Sequence, residues 1–239
     1  MQGFAQEIHM PETVPPQDPG ARSEASIRAS IVAAMRDLIG LGLSQGTSGN
    51  VSARFGDGFL VTPSGIPAER LRPQDIVAMS WDGAFSHALA PSSEWRFHRD
   101  ILSARPEFGA VVHAHPTHCT AFAICGRAIP AIHYMIAAAG GPTIRCAPYA
   151  PYGSQELSDA ALAALEGRAG CLLANHGMIA AGTDLTKALW LAVEMEALCH
   201  QYAVALQVGA PVILSDDEIW RTVERFKSYG LRETTSNSE

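Results

Sequence analysis

The sequence of 239 residues predicts an α/β protein in which helices cover a mixed or antiparallel sheet. Segments with apolar residues at helical spacing alternate with short apolar runs of strand length. Asp57-Gly58, between two such runs, is a strong signal for a β-hairpin. No linker, repeat or low-complexity stretch divides the chain, which favours one domain, and a hydrophobic content of 47% supplies a well-filled core.

The first hundred residues predict two helices and three strands. Apolar residues such as Ile27, Ile31 and Leu38 recur at helical spacing, with Ser23 or Ser26 available as an N-cap. Gly46 to Asn50 breaks this pattern before the hairpin begins. The predicted elements are a helix over 26–41, strands over 51–55, 59–62 and 76–79, and a helix over 93–104 that Pro106 stops.

The rest of the chain continues the alternation. Residues 130–150 are predicted to alternate between strand and turn around the Ala-Gly run at 137–141. The other predicted elements are a strand over 111–115, a helix over 117–125, a helix over 158–165, strands over 171–174 and 178–181, and helices over 185–208 and 216–226.

The two ends differ from this middle part. Four prolines and little apolar periodicity predict a flexible leader over residues 1–22, and a polar tail is predicted over 233–239. The predicted domain therefore covers residues 23–232.

Composition indicates which partners the protein can bind and in which cellular compartment it is expected. The chain has 17 basic and 24 acidic residues, a net charge of −7, and no Lys/Arg block, which argues against a nucleic-acid partner. Five cysteines with no CxxC pair are predicted to be reduced thiols. We expect no signal peptide and no membrane span, and hence a soluble cytoplasmic protein.

His113-Ala-His115, at the end of an apolar run, is the strongest chemical signal. Alternate residues of a strand share a face, so the two imidazoles are expected to point at one place. His176 follows another apolar run, and Glu94 lies upstream in Pro91-Ser-Ser-Glu-Trp95. Three imidazoles without a thiolate favour zinc or a similar divalent ion.

Three segments are typical of a phosphate site. Gly46 to Asn50 and Thr62 to Gly65 combine hydroxyls with glycine backbone N–H groups, and Ser92-Ser93 precedes a predicted helix. Each pattern is also common as a plain turn or cap. Three of them beside a metal carboxylate favour a phosphorylated small molecule.

Some of the candidate site residues could instead have a purely structural role. Glu94 in the first helical turn would complement the helix dipole, or it could serve as a general base. Tyr134 has a hydroxyl able to handle a proton, although an aromatic residue at the core edge is the commoner case. His98, His118 and His133 are predicted to be hydrogen-bonded helix or loop residues, with room for a role in supporting the ligands.

Eight ordered motifs resemble class II aldolases of the aldolase/adducin superfamily, and within it the branch of L-fuculose-1-phosphate aldolases. They extend from about residue 27 to 232 and are QGTSGNVSAR (45–54), VTPSGIP (61–67), PSSEWRFH (91–98), VVHAHPTHCTAFA (111–123), IPAIHYMIAAAGG (129–141), CAPYA (146–150), ANHGMIA (174–180) and FKSYGLR (226–232).

The resemblance implies a three-layer α/β/α fold with a central, mainly antiparallel sheet, and a homotetramer with sites between subunits. It also implies one Zn2+ per subunit, held by His113, His115, His176 and, without substrate, Glu94. The implied reaction is reversible cleavage of a ketose 1-phosphate to dihydroxyacetone phosphate and an aldehyde. Glu94 and Tyr134, the latter from a neighbouring subunit, would move the protons. Phosphate would be held by the residues at Gly49, Asn50, Ser64, Gly65, Ser92 and Ser93.

The aldehyde end of the substrate is less closely specified. By resemblance it would be lined by Tyr134, Tyr152, Phe226 and Tyr229. Tyr152 and Ser64 stand where the fuculose-phosphate branch is expected to have Phe and Thr. The expected substrates are therefore L-fuculose 1-phosphate or a related deoxy- or methylthio-pentulose 1-phosphate.

Other functions are open on the same scaffold. They are a pentulose-phosphate 4-epimerase, for which Asp is expected at the place of Glu94, a sugar-acid phosphate decarboxylase and a methylthioribulose-1-phosphate dehydratase. An adducin-like interaction module would not need the metal ligands, which this chain keeps. A hydrolytic metalloprotein lacks support, since the sequence has no HExxH motif.

Overall fold

The computed structural model describes residues 23–227. The predicted leader, the polar tail and Tyr229 lie outside the described residues, so the predicted domain bounds stay a prediction. The helices are α1 (Glu24–Gly40), α2 (Trp95–Ala104), α3 (Thr117–Ile124), α4 (Gln155–Ala164), α5 (Leu185–Val208) and α6 (Asp216–Lys227). Short 3₁₀ helices cover Ala68–Arg70, Pro73–Asp75 and Tyr134–Ala139.

Seven strands form one sheet in the described part of the chain. They are β1 (Asn50–Phe55), β2 (Gly58–Val61), β3 (Val77–Ser80), β4 (Ala110–Ala114), β5 (Arg145–Ala147), β6 (Gly170–Leu173) and β7 (Gly177–Gly182). Their order is β3-β2-β1-β4-β7-β6-β5, and every neighbouring pair is antiparallel except β5 with β6. The expectation of a mainly antiparallel sheet is confirmed, with β4 at its centre.

Alternation along the strands gives the sheet two apolar faces. In β4, Ala110 and Val112 pack into a core with α1, α3 and α5, whereas Val111 packs into a core with α2 and α4. Because side chains alternate from face to face, β4 buries both of its sides under helices. The predicted three layers are confirmed, and His113, two residues after Val111, lies on the face that α2 covers.

Most predicted elements are present within one or two residues. Ser23 caps α1 by accepting the N–H of Ser26 at 3.3 Å, and Asp184 caps α5 at Lys187 N, 2.9 Å away. Helix α4 begins three residues before its predicted start, because the Ser154 hydroxyl accepts the N–H of Leu157.

The prediction for residues 130–150 was wrong in part. Tyr134–Ala139 forms a 3₁₀ helix rather than strand and turn, and it packs against α6. Gly140 ends this helix with a φ of 92°, a conformation that suits glycine. Only β5, at residues 145–147, is a strand in this stretch.

The cysteines and the helix lengths can be compared with the sequence-based expectations. All five cysteines are free, with Cys119, Cys171 and Cys199 buried. Burial raises the pKa of Cys171 to about 12, so this thiol is an inert core residue. Within residues 23–227, no helix has the length and hydrophobicity needed to cross a membrane.

Candidate active site

The end of β4 carries two of the predicted ligands. His113 is fully buried under α2, with its ring edge-on to Phe97 at 5.3 Å between centroids. His115 follows directly after the strand on the same face, and its ring lies 4.8 Å from that of His113. The i, i+2 spacing therefore places both imidazoles together, as the sequence predicts.

A tight turn between β6 and β7 brings in His176. Asn175 adopts a φ of 55°, the left-handed conformation that asparagine tolerates better than most residues. Gly177 then passes so close to β4 that a Cβ there would lie 2.5 Å from the carbonyl oxygen of Ala114. This close approach places the His176 ring 4.8 Å from His113 and 5.0 Å from His115.

Glu94 faces these three rings from the start of α2. It occupies the N-cap position, but its side chain makes no capping hydrogen bond. Its Oε2 lies 3.2 Å from His113 Nε2, and its Oε1 lies 3.2 Å from His176 Nε2. The carboxylate is therefore turned toward the imidazoles instead of toward the helix N–H groups.

The hydrogen bonds determine which ring nitrogens are free. His113 Nδ1 lies 2.9 Å from the carbonyl oxygen of Met178, so it carries the proton and donates it. The lone pair of His113 is then on Nε2, which lies 2.9 Å from His115 Nε2. Such a backbone acceptor behind a ligand imidazole is typical of metal sites, because it fixes tautomer and orientation.

Burial and charge favour the metal-binding forms of these groups. Burial lowers the pKa of His115 to about 3, with the nearby His113 and His176 acting in the same direction, so its ring is neutral at physiological pH. Burial by itself would raise the pKa of Glu94, but the interactions with His113 and His176 outweigh it and hold this pKa below its usual range. The site thus combines a neutral imidazole with a carboxylate.

These residues suit a divalent cation. The ligand atoms of His113, His115 and His176 lie within 4.8 Å of one another. Glu94 Oε1 is buried and has no hydrogen-bond partner, an arrangement that is costly unless a cation is bound beside it. Three histidines and one carboxylate match the ligand types of a catalytic zinc site.

The three predicted phosphate segments converge beside Glu94. Gly49 has a φ of 83°, and its Cβ position would lie 3.0 Å from the carbonyl oxygen of His113, which places the first segment against the end of β4. The second and third segments run side by side through a bridge between Pro63 and Pro91, and Ser92 N donates to Thr62 O at 2.9 Å. Ser93 then leads directly to Glu94.

A cavity of about 350 Å3 opens over the ligands. It exposes Glu94, His115 and His176 together with two tyrosines, Tyr149 and Tyr152. These tyrosines are 65% and 74% exposed. The predicted Tyr152 is thus at the mouth of the site, next to Tyr149, which the sequence analysis did not identify.

Two other predicted residues of the aldehyde pocket lie elsewhere in the same chain. Tyr134 is 51% exposed at the start of its 3₁₀ helix, and it is not among the residues that line the cavity. Phe226 is half-buried on α6, against the core on the opposite face of the sheet. Neither residue lines the cavity of its own chain, and Tyr134 is predicted to act from a neighbouring subunit.

Two predictions about other histidines are confirmed. His118 Nδ1 lies 2.7 Å from Glu196 Oε1, and its ring stacks on His200. His133 Nδ1 accepts the N–H of Met135 at 3.2 Å. His98, the third of this group, is fully buried and contacts Ser52 and Asn50.

A model of the family described as Class II Aldolase and Adducin N-terminal domain matches residues 29–203. The chain belongs to the class II aldolase family. The match spans α1 to α5 and includes every predicted metal ligand.

Proteins named as aldolases resemble the chain over most of its length. It is 53% identical over 212 residues to the 5-methylthioribulose-1-phosphate/5-deoxyribulose-1-phosphate aldolase of Rhodospirillum rubrum, covering 89% of this chain and 95% of that protein. It is 52% identical over 197 residues to the L-fuculose phosphate aldolase of Escherichia coli K12, covering 82% and 92%. A solved L-fuculose 1-phosphate aldolase matches with a TM-score of 0.83 at 37% identity, covering 87% and 98%. The chain is therefore a class II aldolase, and so a lyase.

Proposed function

We propose that this class II aldolase is zinc-dependent and cleaves a ketose 1-phosphate reversibly to dihydroxyacetone phosphate and an aldehyde. The observation that carries the proposal is the position of Glu94, with one carboxylate oxygen 3.2 Å from His113 Nε2 and the other 3.2 Å from His176 Nε2. A carboxylate between ligand imidazoles can bind the metal at rest and handle a proton once substrate is bound.

The three histidines would hold the zinc, with Glu94 as the fourth ligand in the absence of substrate. When bound, Zn2+ supplies Lewis acidity that stabilises the negative charge developing on the substrate oxygens during cleavage. His113 Nδ1 donates to Met178 O, which leaves His113 Nε2 as the nitrogen that would bind the ion.

The remaining chemistry is the movement of two protons, one at the C4 oxygen and one at C3. Cleavage breaks the bond between C3 and C4: the C4 hydroxyl loses its proton, the bonding electron pair goes to C3, and C3 then takes up a proton. Glu94 delivers the proton to C3, and in the condensation direction it removes it. Tyr134 of a neighbouring subunit holds the proton at the C4 oxygen, which agrees with its exposure and with its absence from the lining of the cavity in its own chain.

The substrate phosphate would be bound by the three segments beside Glu94. They offer backbone N–H groups and hydroxyls at a helix N-terminus, an arrangement that favours anions. The proposed residues are Gly49, Asn50, Ser64, Gly65, Ser92 and Ser93. The Asn50 side chain already contacts Glu94 and His98, so one amide N–H of Asn50 remains for phosphate.

Two substrate classes are proposed with equal support from the relatives, whose names point to L-fuculose phosphate and to methylthio- or deoxyribulose phosphates. The tyrosines at the cavity mouth, Tyr149 and Tyr152, would contact the aldehyde end. A soluble homotetramer in the cytoplasm, with active sites between subunits, completes the proposal.

The test is a coupled assay for dihydroxyacetone phosphate release, with and without a chelator. The panel holds L-fuculose, L-rhamnulose, 5-deoxyribulose and 5-methylthioribulose 1-phosphates. We expect release that the chelator abolishes and zinc restores. No release from any sugar by a zinc-loaded protein would contradict the proposal and direct attention to epimerase, decarboxylase or dehydratase chemistry.

The role of Glu94 is tested by Glu94→Gln, which keeps the shape of the side chain but cannot accept a proton. We expect kcat to fall by about 10²- to 10⁴-fold, the usual contribution of a general acid/base, while zinc stays bound through the three histidines. Zinc content is measured by atomic emission and turnover by the same coupled assay. Wild-type turnover in Glu94→Gln would remove this carboxylate from the mechanism.

A further inference from the structure

A buried chain of polar side chains lies behind Glu94, on the side away from the cavity. Its members are Ser52, His98, Asn50 and Glu94, all buried between β1 and the start of α2. We infer that Ser52 and His98 act as positioning residues: they fix the orientation of the Asn50 amide, and through it one oxygen of the Glu94 carboxylate. The inference deepens the proposed function and rests on it for its activity readout.

The contacts in the chain are short and continuous. Ser52 Oγ lies 2.7 Å from His98 Nδ1, and His98 Nε2 lies 2.5 Å from Asn50 Oδ1. The amide nitrogen of Asn50 then donates to Glu94 Oε2 at 2.9 Å. Three hydrogen bonds thus connect a serine on β1 to the carboxylate that faces the metal ligands.

Chemistry permits only one direction for these bonds. The amide must present its NH2 group to the Glu94 carboxylate, which only accepts, so its oxygen faces His98. That oxygen also only accepts, so His98 Nε2 must carry a proton. In a neutral imidazole the other nitrogen is then an acceptor, and it takes the hydroxyl proton of Ser52.

The surroundings keep the His98 ring in this neutral form. Burial, and to a smaller extent the neighbouring His113, lowers the pKa of His98 to about 3 against the opposing effect of the Glu94 charge. At physiological pH the ring therefore has one donor and one acceptor. The Asn50 oxygen determines this tautomer, because it needs a proton on Nε2. Ser52, whose hydroxyl can donate or accept, supplies the hydrogen bond that the buried, unprotonated Nδ1 needs.

The register of β1 against β4 determines where the side chains of this polar chain lie. Across β1 and β4, Asn50 pairs with His113, and Ser52 pairs with Val111. Directly paired residues share a face of the sheet, so the side chains of these two pairs lie on the face that α2 covers. His98 lies one turn after Glu94 on α2 and reaches both β1 residues. The polar chain therefore joins β1, the neighbour of the strand that carries His113, to α2, the helix that begins after Glu94.

The consequence for Glu94 is an asymmetric carboxylate. Oε2 is held by Asn50, whereas Oε1 is buried without a hydrogen-bond partner. If the amide were free to turn over, its oxygen would face Oε2 and repel the carboxylate from the ligand position. Fixing the amide removes this alternative and keeps Oε2 at its hydrogen bond with Asn50, with Oε1 turned toward His176 Nε2.

The test replaces His98 with two residues of opposite hydrogen-bonding capacity. Gln at this position has an amide nitrogen near the place of Nε2 and an oxygen to accept from Ser52, whereas Leu fills similar volume with no polar atom. We expect His98→Gln to keep zinc affinity and kcat within about 3-fold of wild type. We expect His98→Leu to lose about 10- to 100-fold in zinc affinity and kcat, as for other residues that orient metal ligands.

A milder pair of variants removes one hydroxyl each. Ser52→Ala deletes the 2.7 Å contact with His98, and Ser158→Ala deletes an equally short bond to Asp100 on the α4 side of α2, far from Glu94. We expect only Ser52→Ala to weaken zinc binding. Side-chain ¹⁵N shifts are expected to show His98 protonated at Nε2 in the wild type, as the Asn50 oxygen requires.

The outcomes separate this inference from the proposed function. A wild type that releases no dihydroxyacetone phosphate contradicts the proposed function, while zinc affinity and the His98 tautomer still test the polar chain. Equal losses in His98→Gln and His98→Leu, or a wild-type His98 protonated at Nδ1, would overturn the inference. If His98→Leu does not fold, Ser52→Ala against Ser158→Ala gives the same decision.

Discussion

Gly177 shows how a single residue without a side chain determines the position of a ligand. A Cβ at this position would lie 2.5 Å from Ala114 O and 2.6 Å from Cδ2 of the His115 ring. Neither neighbour can move freely, because Ala114 is part of the central strand and His115 is held by its contacts with the other imidazoles. Glycine is required here by close approach.

We therefore predict that Gly177→Ala displaces the His115 ring and weakens zinc binding by at least about 10-fold, with an overpacking cost of about 1–3 kcal/mol in the free energy of unfolding. Zinc affinity is measured by competition with a chelating dye and stability by urea unfolding. Gly40→Ala is the control, since a Cβ at Gly40 meets no atom within 4 Å. Unchanged zinc affinity in Gly177→Ala would argue against His115 as a ligand.

For individual residues, the sequence predicts positions that depend on local backbone geometry and misses those that depend on tertiary contacts. His113 and His115 are two residues apart on a strand, so their convergence follows from backbone geometry alone. His98 looks like any histidine on a helix, because its bond to Ser52 depends on how α2 crosses β1. Tyr149 was missed for the same reason: nothing in its local pattern places it beside Glu94.

Helices α2 and α4 are joined by a carboxylate that belongs to neither the metal site nor the apolar core. Asp100 Oδ2 accepts hydrogen bonds from Ser158 Oγ and Gln155 Nε2, both at 2.7 Å, and Oδ1 accepts from Arg99 Nε at 2.6 Å. Burial would raise the pKa of Asp100, but these hydrogen bonds outweigh it and lower this pKa below its usual range.

Because the pKa of Asp100 is lower in the folded state, its stabilising contribution is present above the unfolded pKa of about 3.9 and is lost as the pH falls through the folded value. We predict that Asp100→Asn lowers the free energy of unfolding by about 1–3 kcal/mol at pH 7. The difference from wild type should shrink as the pH falls below about 4. The free energy of unfolding is measured by urea unfolding at pH 7 and below about pH 4. Asp37→Asn is the control, because Asp37 is exposed.

A difference between the two proteins that does not depend on pH would mean that Asp100 acts through packing and not through its charge. Conversely, equal stability at pH 7 would show that water replaces the three hydrogen bonds without cost.

Elements were predictable where periodicity or a turn signal was strong. The 24-residue α5 has the predicted bounds, and Asp57-Gly58 joins β1 to β2 as expected. The 3₁₀ helix at Tyr134–Ala139 was not predictable, because its run of alanines has no period of its own and its shape depends on packing against α6. The early start of α4 depends on the Ser154 cap, since the residues Gln155 and Glu156 that follow are polar.

For the whole molecule, the proposed assembly makes a testable claim about Tyr134, which does not line the cavity of its own chain. If Tyr134 completes the site of a neighbour, a subunit with Glu94→Gln and a subunit with Tyr134→Phe can complement each other. Each variant alone should be nearly inactive, because one lacks the carboxylate and the other lacks the phenol. Mixed by co-expression in equal amounts, they should regain activity at about a quarter of the sites.

The assay is dihydroxyacetone phosphate release by the purified mixture, compared with the two separate variants at the same total concentration. A mixture of Glu94→Gln with Glu94→Gln,Tyr134→Phe serves as control, since none of its sites holds an intact Glu94. Absence of complementation in mixed oligomers would place Tyr134 in the active site of its own chain or outside the reaction.

The two tyrosines at the cavity mouth have a consequence for how enzymes of this kind diversify. Glu94, His113 and their supporting side chains are buried, so most changes among them would cost folding stability. Tyr149 and Tyr152 are exposed in a loop, where substitutions usually change stability by less than about 0.5 kcal/mol. If the proposed function holds, natural selection or a mutant library can therefore explore new aldehyde preferences at these two positions while the proposed metal ligands and the fold are kept.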